Sequence, residues 1–330
     1  LPICQSHPAA AIPLLSSLCS KGTDEPLAMG SIKVDGTKRP PERLEGGGFK
    51  IKDILAGIPS ERLDPFLMWH ELPRAHHRPG EMPGAPMHPH RGFCECPYAK
   101  EITGEDGQVR ECDKFIARDH AGNECFMRPG DFEFGLVGNG FEHEGVTPPA
   151  WTGYLHFFQM WINLPSAHKR VAPEILNCSA DKIPTVEFEG GWAKVLMGKN
   201  LLGVSSPVES PYVPASYVDF ELQPGGKVDY EVTPDHPTRL LYLYRGDAKV
   251  ADTAVAQSTL VLLSASGASV SVTAGKNGAG FLVITGVPIK EPVVQHGPFV
   301  MNSRSEIKQC FDDFQSGRLC SKPLTRKVIA

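Results

Sequence analysis

From Phe49 onward the chain consists of short apolar runs separated by glycine, proline and aspartate. Runs of this length bounded by turn residues are typical of β-strands. Arg128-Pro129-Gly130-Asp131 predicts a tight turn, because proline presets one backbone angle and glycine accepts positive φ at the next position. In this half the predicted strands are 91–99, 109–116, 124–127, 132–137 and 151–164. Antiparallel hairpins at this spacing predict an all-β barrel or sandwich.

A second region of the same texture runs from about residue 182 to 292, with predicted strands at 217–222 and 239–244. The two halves therefore indicate one β fold used twice. The predicted organisation is an extension at 1–48, poorly structured or bound to a partner and ended by three glycines, then domains at 49–175 and 176–317 and a tail at 318–330. The proline- and histidine-rich stretch 72–86 is predicted to be a loop.

One helix is predicted near the end of the chain. Ser303 and Glu306 have the spacing of a capping box, and Ile307, Cys310, Phe311 and Phe314 recur at helical spacing. Gly317 is placed to end this helix.

The candidate chemistry lies at Met87-His88-Pro89-His90-Arg91-Gly92-Phe93. On a strand, His88 and His90 leave the same face and can reach one metal ion. A third imidazole, His143, follows the glycine-rich turn at 138–140. An isolated His-x-His is more often structural, but a third histidine brought back by a turn completes a set suited to iron, copper, nickel or zinc.

The chain has nine cysteines, an odd number without the regular spacing of a secreted disulfide scaffold, which predicts a reducing intracellular compartment. Cys94 and Cys96 have two interpretations. With strict strand alternation they would share the face of His88 and His90, and otherwise they are small thiols packed in a core.

The net charge of −5 and the lack of a long basic run argue against direct binding of nucleic acid. A run of 18 or more apolar residues is also missing, so no transmembrane helix is predicted. Residues 1–22 contain no acidic residue and are rich in Ala, Ser, Leu and Pro, a composition that fits the end of an organellar targeting segment but lacks its arginines. A plastid or mitochondrion after transit-peptide removal, the cytoplasm and the nucleus all remain candidate locations.

The sequence resembles the pirin family, and the similarity covers about residues 49–317. It is carried by these blocks in order: Leu63-Asp64-Pro65-Phe66-Leu67, His88-Pro89-His90-Arg91-Gly92-Phe93, Pro129-Gly130-Asp131, Gly138-Asn139-Gly140-Phe141-Glu142-His143, Trp161-Ile162-Asn163-Leu164-Pro165 and 291–302. The resemblance implies a bicupin of two antiparallel barrels with one iron ion, Fe2+ or Fe3+, in the first. It also implies His88, His90 and His143 as metal ligands.

The fourth ligand expected from the family is a glutamate two residues after the third histidine, and that position is Gly145 in this chain. Three substitutes remain open. A bulge could re-aim Glu144, which would otherwise point to the opposite face. Glu95 has the His-x-His-x4-Glu spacing used by metal-binding cupins in general. Cys94 could serve as a thiolate ligand.

The resemblance implies two functions, a dioxygenase activity on the flavonol quercetin and metal-dependent regulation of protein partners. For the dioxygenase, Glu144 or Glu95 would be the base or the missing ligand. A flavonol-like aromatic ligand would enter the mouth of the barrel. The alternative is a catalytically inactive pirin-like structural or interaction subunit of a larger protein complex, with an organelle as one candidate location, in which the extension at 1–48 orders against a partner.

Overall fold

The computed structural model of the protein describes residues 30–104, 106, 108 and 115–330. The targeting-like composition at 1–22, the first part of the predicted extension and most of the predicted strand 109–116 lie outside these described residues. The described chain is an all-β bicupin, as predicted, with one short α-helix.

The strands that begin before residue 180 are β1 (Val34–Lys38), β2 (Glu42–Glu45), β3 (Phe49–Asp53), β4 (Phe66–His77), β5 (Ala85–His90), β6 (Phe93–Glu95), β7 (Tyr98–Thr103), β8 (Phe115–Asp119), β9 (Glu124–Met127), β10 (Phe132–Leu136), β11 (Phe141–Val146), β12 (Gly153–Asn163) and β13 (Glu174–Cys178). Most of them form the first barrel, in which one sheet has the order β2-β3-β4-β12-β6-β10-β13 and a second sheet has the order β5-β11-β8-β9. The two sheets enclose a cavity.

The remaining strands are β14 (Thr185–Phe188), β15 (Gly191–Met197), β16 (Ala215–Leu222), β17 (Lys227–Glu231), β18 (Thr238–Val250), β19 (Thr253–Ala256), β20 (Thr259–Leu263), β21 (Ser269–Gly286), β22 (Val294–His296), β23 (Phe299–Met301) and β24 (Thr325–Ile329). The second barrel is built on the order β1-β20-β18-β21-β16-β15-β14. Buried and exposed residues alternate along β17, as in a strand with one face on a core.

Two predicted boundaries differ from the structure. The predicted loop 72–86 is a strand as far as His77, because β4 stays paired with β12 up to the His77–Gly153 position. The predicted domain boundary at 175 falls inside β13, which pairs with β10 and belongs to the first barrel.

Both ends of the described chain pair with strands of the barrels, whereas the sequence predicted an extension that is poorly structured or bound to a partner at one end and a separate tail at the other. Strand β1 pairs with β20 of the second barrel, and β2 pairs with β3 of the first. At the other end β24 lies parallel to β13 as an edge strand of the first barrel. These pairings satisfy backbone groups that would otherwise face water along sheet edges.

The predicted helix is confirmed as α1 (Arg304–Gln315). The Ser303 hydroxyl accepts a hydrogen bond from the Glu306 amide at 3.3 Å, and Gly317 follows the helix with a φ of 70°. Among the described residues no helix is long and apolar enough to cross a membrane.

The barrels meet through apolar side chains and two buried carboxylates. Glu71 of the first barrel accepts a hydrogen bond from Tyr242 of the second at 2.6 Å. Asp219 of the second barrel accepts one from Tyr98 of the first at 2.7 Å. Each carboxylate also pairs with a lysine, so the buried charges are compensated.

Candidate metal centre and cavity

Three histidines meet where β5 and β11 run antiparallel. His88 lies directly opposite His143, and their Nε2 atoms are 3.2 Å apart. The ring of His90 is 4.6 Å from that of His88 and 5.0 Å from that of His143, measured between centroids. Burial lowers the pKa of all three imidazoles, since the low-polarity surroundings disfavour the charged form. They are therefore held in the neutral state that binds metals.

Glu95, and not Cys94, faces this cluster. The strand is interrupted at Gly92, whose φ is 95°, so the alternation of sides changes between β5 and β6. A Cβ atom at position 92 would lie 1.9 Å from the Val300 carbonyl oxygen, which leaves room for glycine alone. Cys94 and Cys96 point into the apolar core instead, so strict alternation gave the wrong face for both thiols.

The Glu95 carboxyl group is fully buried beside the histidines. Its Oε1 lies 3.3 Å from His143 Nδ1, and its Oε2 lies 3.9 Å from His90 Nε2. Gln159 donates a hydrogen bond to Oε2 at 3.1 Å, whereas none of the residues that the structure describes forms a hydrogen bond with Oε1. Burial and the nearby Glu133 carboxylate raise the pKa of Glu95 well above its usual range. An unpaired buried oxygen of this kind marks a place where a cation would be stabilising.

The His143 ring joins two groups of metal-binding atoms. One group consists of His88, His90 and His143, and the other of Glu95, Glu133 and His143. Imidazoles that bind a metal through one nitrogen commonly direct the other to a carboxylate, which fixes the ring orientation. The Nε2 and Nδ1 atoms of His143 face His88 and Glu95 in this way.

Arg326 of β24 completes the carboxylate side of the site. Its guanidinium is 3.0 Å from the Asp119 carboxylate and 3.1 Å from that of Glu133. It also donates to the Asn177 side chain at 2.7 Å. This residue was missed because it lies in the predicted tail, 183 positions after His143, and no local pattern in the sequence connects the two.

Position 145, where the family glutamate was expected, faces an aromatic ring. A Cβ atom on Gly145 would lie 2.5 Å from the Phe115 ring. Glu144 pairs with Arg118 at 2.9 Å and belongs to neither group of metal-binding atoms among the described residues. A register shift does occur between His143 and Gly145, but the Glu144 carboxylate remains with Arg118.

The three histidines line a cavity of about 900 Å³ between the two sheets of the first barrel. Much of its wall is apolar, with Leu67, Met82 and Phe157 as examples. A second polar region on the same wall contains Arg43, Glu45, Asp53 and His70. Two of these residues come from β2, so the predicted extension supplies part of the cavity wall.

Comparison with known proteins agrees with the sequence resemblance. The family model described as Pirin matches residues 48–162, and that of the Pirin C-terminal cupin domain matches 217–320. A pirin-like protein of Caulobacter vibrioides is 35% identical over 275 residues, which cover 83% of this chain and 94% of that protein. Human pirin is 32% identical over 282 residues, covering 84% and 90% of the two chains.

Among solved structures, quercetin 2,3-dioxygenase from Acinetobacter baumannii matches with a TM-score of 0.78 and 27% identity. The match covers 88% of this chain and 99% of that one.

Proposed function

Since the chain belongs to the pirin family, we propose that it is a metal-dependent dioxygenase that acts on a flavonol-like aromatic substrate. The observation that carries this proposal is the meeting of three neutral imidazoles and a buried, partly unpaired carboxyl group at a largely apolar cavity. A quercetin 2,3-dioxygenase among the structural relatives supports the choice of substrate class.

The residues fit a divalent transition metal, and iron is the metal we propose. His88, His90 and His143 would hold it, and Glu95 would supply the negative charge that Gly145 cannot. Nitrogen donors combined with one carboxylate suit iron, nickel and copper alike. A metal bound there supplies Lewis-acid chemistry toward substrate oxygens and redox chemistry toward dioxygen.

Glu95 is also the proposed base for the substrate hydroxyl. A carboxylate with a raised pKa is a stronger base than an exposed one, and the pKa of Glu95 is raised by burial and by Glu133. Glu144 is held by Arg118 and is the weaker candidate. The Gln159 amide, which donates to Glu95, would keep the carboxylate oriented toward the histidines.

The alternative of a catalytically inactive subunit is favoured by one observation. The Phe115 ring fills the space that a side chain at position 145 would need, so the family's own ligand position is closed. Both proposals are tested by the same experiment, because only the first requires a working carboxylate at position 95.

The test is metal content and flavonol turnover of iron-loaded wild type, Glu95→Gln and Glu144→Gln. We expect Glu95→Gln to lose most of its metal and its turnover, whereas Glu144→Gln keeps both. If iron-loaded wild type converts no flavonol, the dioxygenase proposal is wrong and the inactive subunit is favoured. If only Glu144→Gln loses turnover, Glu144 and not Glu95 is the base.

A further inference from the structure

A row of polar side chains crosses the sheet that forms one wall of the cavity. Asp53 on β3 lies opposite His70 on β4, and His70 lies opposite Gln159 on β12. Gln159 in turn donates to Glu95 on β6. From His70 to Glu95 the row crosses two strand separations, which is about 10 Å. The row thus connects the metal centre with a second polar end of the cavity.

The second end is made of charged groups gathered around a buried histidine. His70 is 2% exposed, and its Nδ1 lies 2.8 Å from Glu45 Oε2. The Arg43 guanidinium donates to the Asp53 carboxylate at 3.1 Å and lies 3.1 Å from His70 Nε2, which is itself 3.6 Å from Asp53 Oδ1. These contacts hold the group in a fixed arrangement on the cavity wall.

The group retains hydrogen-bonding capacity toward the cavity. The side chains of Arg43 and Glu45 are 45% and 36% exposed, and all members of the group line the cavity. A guanidinium has five N–H donors and a carboxylate accepts about four hydrogen bonds, more than the neighbours here use. Such a pair can accept from a phenol O–H and donate to a phenol oxygen at the same time.

We propose that Arg43, Glu45 and His70 form a subsite that recognises hydroxyl groups at the far end of the aromatic substrate. The substrate class is a flat molecule with oxygen functions at both ends, one end at the histidine cluster and the other at this subsite. This proposal rests on the proposed function and adds to it the residues that select among flavonols. The remaining wall is largely apolar and accommodates the rings.

A subsite that recognises hydroxyl groups should produce a measurable preference between two flavonols that differ only in those groups. Binding of an analogue that lacks the hydroxyl would displace water from the half-exposed Arg43 and Glu45 side chains without replacing the hydrogen bonds of that water, and this lowers its affinity. Wild type should therefore prefer quercetin to the flavonol without hydroxyls on its pendant ring by about tenfold or more in Kd, the effect of one charge-assisted hydrogen bond.

The test measures the Kd of each flavonol for metal-loaded protein in the absence of oxygen. Quenching of tryptophan fluorescence reports binding. The variants are Arg43→Gln/Glu45→Gln and a matched control, Glu42→Gln, which lies on the same strand but does not line the cavity. The double variant should bind quercetin more weakly and lose the preference between the two ligands. The control should keep it.

The outcomes separate the two proposals. If the double variant keeps the wild-type preference, or if wild type binds both flavonols equally, the subsite is wrong while the proposed function stands. If wild type binds neither flavonol, both are overturned. Because Arg43 and Glu45 are half-exposed, the variants should fold, and an unchanged Tm verifies this.

Discussion

The ring of Phe115 occupies the space into which a side chain at Gly145 would project, with 2.5 Å between the ring and a Cβ atom at that position. The two residues lie on neighbouring strands, β8 and β11, which are paired in register. A side chain at position 145 therefore requires the Phe115 ring to move from its present position. The chain instead has its buried carboxylate on β6, at Glu95.

Restoring the family glutamate in the single variant Gly145→Glu should destabilise the protein by about 1–3 kcal/mol, the usual effect of overpacking. It should not raise the metal content, because the added side chain is displaced by Phe115. Urea unfolding and elemental analysis measure the two effects. The double variant Gly145→Glu/Phe115→Ala should recover part of the stability, and a single variant as stable as wild type would contradict this account.

Glu95 should make the metal-free protein less stable at neutral pH than a neutral side chain would. Its folded-state pKa is raised by burial, so the folded protein binds this proton more tightly than the unfolded chain does. The resulting loss of stability is absent below the ordinary glutamate pKa, grows as the pH rises from there to the folded-state pKa, and stays constant above it.

Metal-free Glu95→Gln should accordingly be more stable than metal-free wild type at pH 8, with a difference that narrows as the pH falls toward about 4.5, the ordinary range for glutamate. Urea unfolding of both proteins across this pH range measures the difference. Glu144→Gln is the control, because the Glu144 carboxylate pairs with Arg118 and does not face the histidines. A difference that grows toward acid pH would show that Glu95 stabilises the folded state as a carboxylate.

Arg326 should contribute far more to stability than its neighbour in sequence. Arg326→Met leaves the buried carboxylates of Asp119 and Glu133 without their cation, which typically costs about 3–5 kcal/mol. The matched control is Lys327→Met, because the Lys327–Glu174 pair is 58% and 41% exposed and such pairs contribute about 1 kcal/mol or less. Equal unfolding free energies for the two variants would show that Arg326 of β24 does not stabilise the site.

The hydrogen bond between Tyr98 and Asp219 should stabilise the contact between the barrels. Removing the hydroxyl in Tyr98→Phe leaves one acceptor position of a buried carboxylate unfilled, which should lower the unfolding free energy by about 1–3 kcal/mol. Tyr154→Phe is the control, since its ring packs under Arg74 at the surface and the substitution keeps that contact. A loss of similar size in both variants would contradict the assigned role.

Several features were predictable because they depend on residues close together in the chain. Short apolar runs between turn residues predict strands, and the spacing of Ser303 and Glu306 predicts where the helix begins. The blocks shared with the pirin family are long enough to indicate the bicupin fold, which the structure and the comparisons confirm. The meeting of His88 with His90 required only the two-residue period of a strand.

Other features depend on partners that are distant in sequence. Side chains change sides at Gly92, where the Val300 backbone, more than two hundred positions away, leaves no room for a Cβ atom. Alternation counted from His90 therefore misplaced Cys94. The sequences of β1 and β24 do not indicate which strands they pair with. Their positions are set by pairing with β20 and β13, which are distant in sequence.

The sequence alone therefore determined the kind of fold and the identity of the imidazoles, since strand period and turn chemistry act over a few residues. Tertiary structure decided which carboxylate joins them, which arginine pairs with the neighbouring Asp119 and Glu133 carboxylates, and which polar residues share the cavity wall. Burial and cross-strand register control these choices, and both exist only once distant strands have paired.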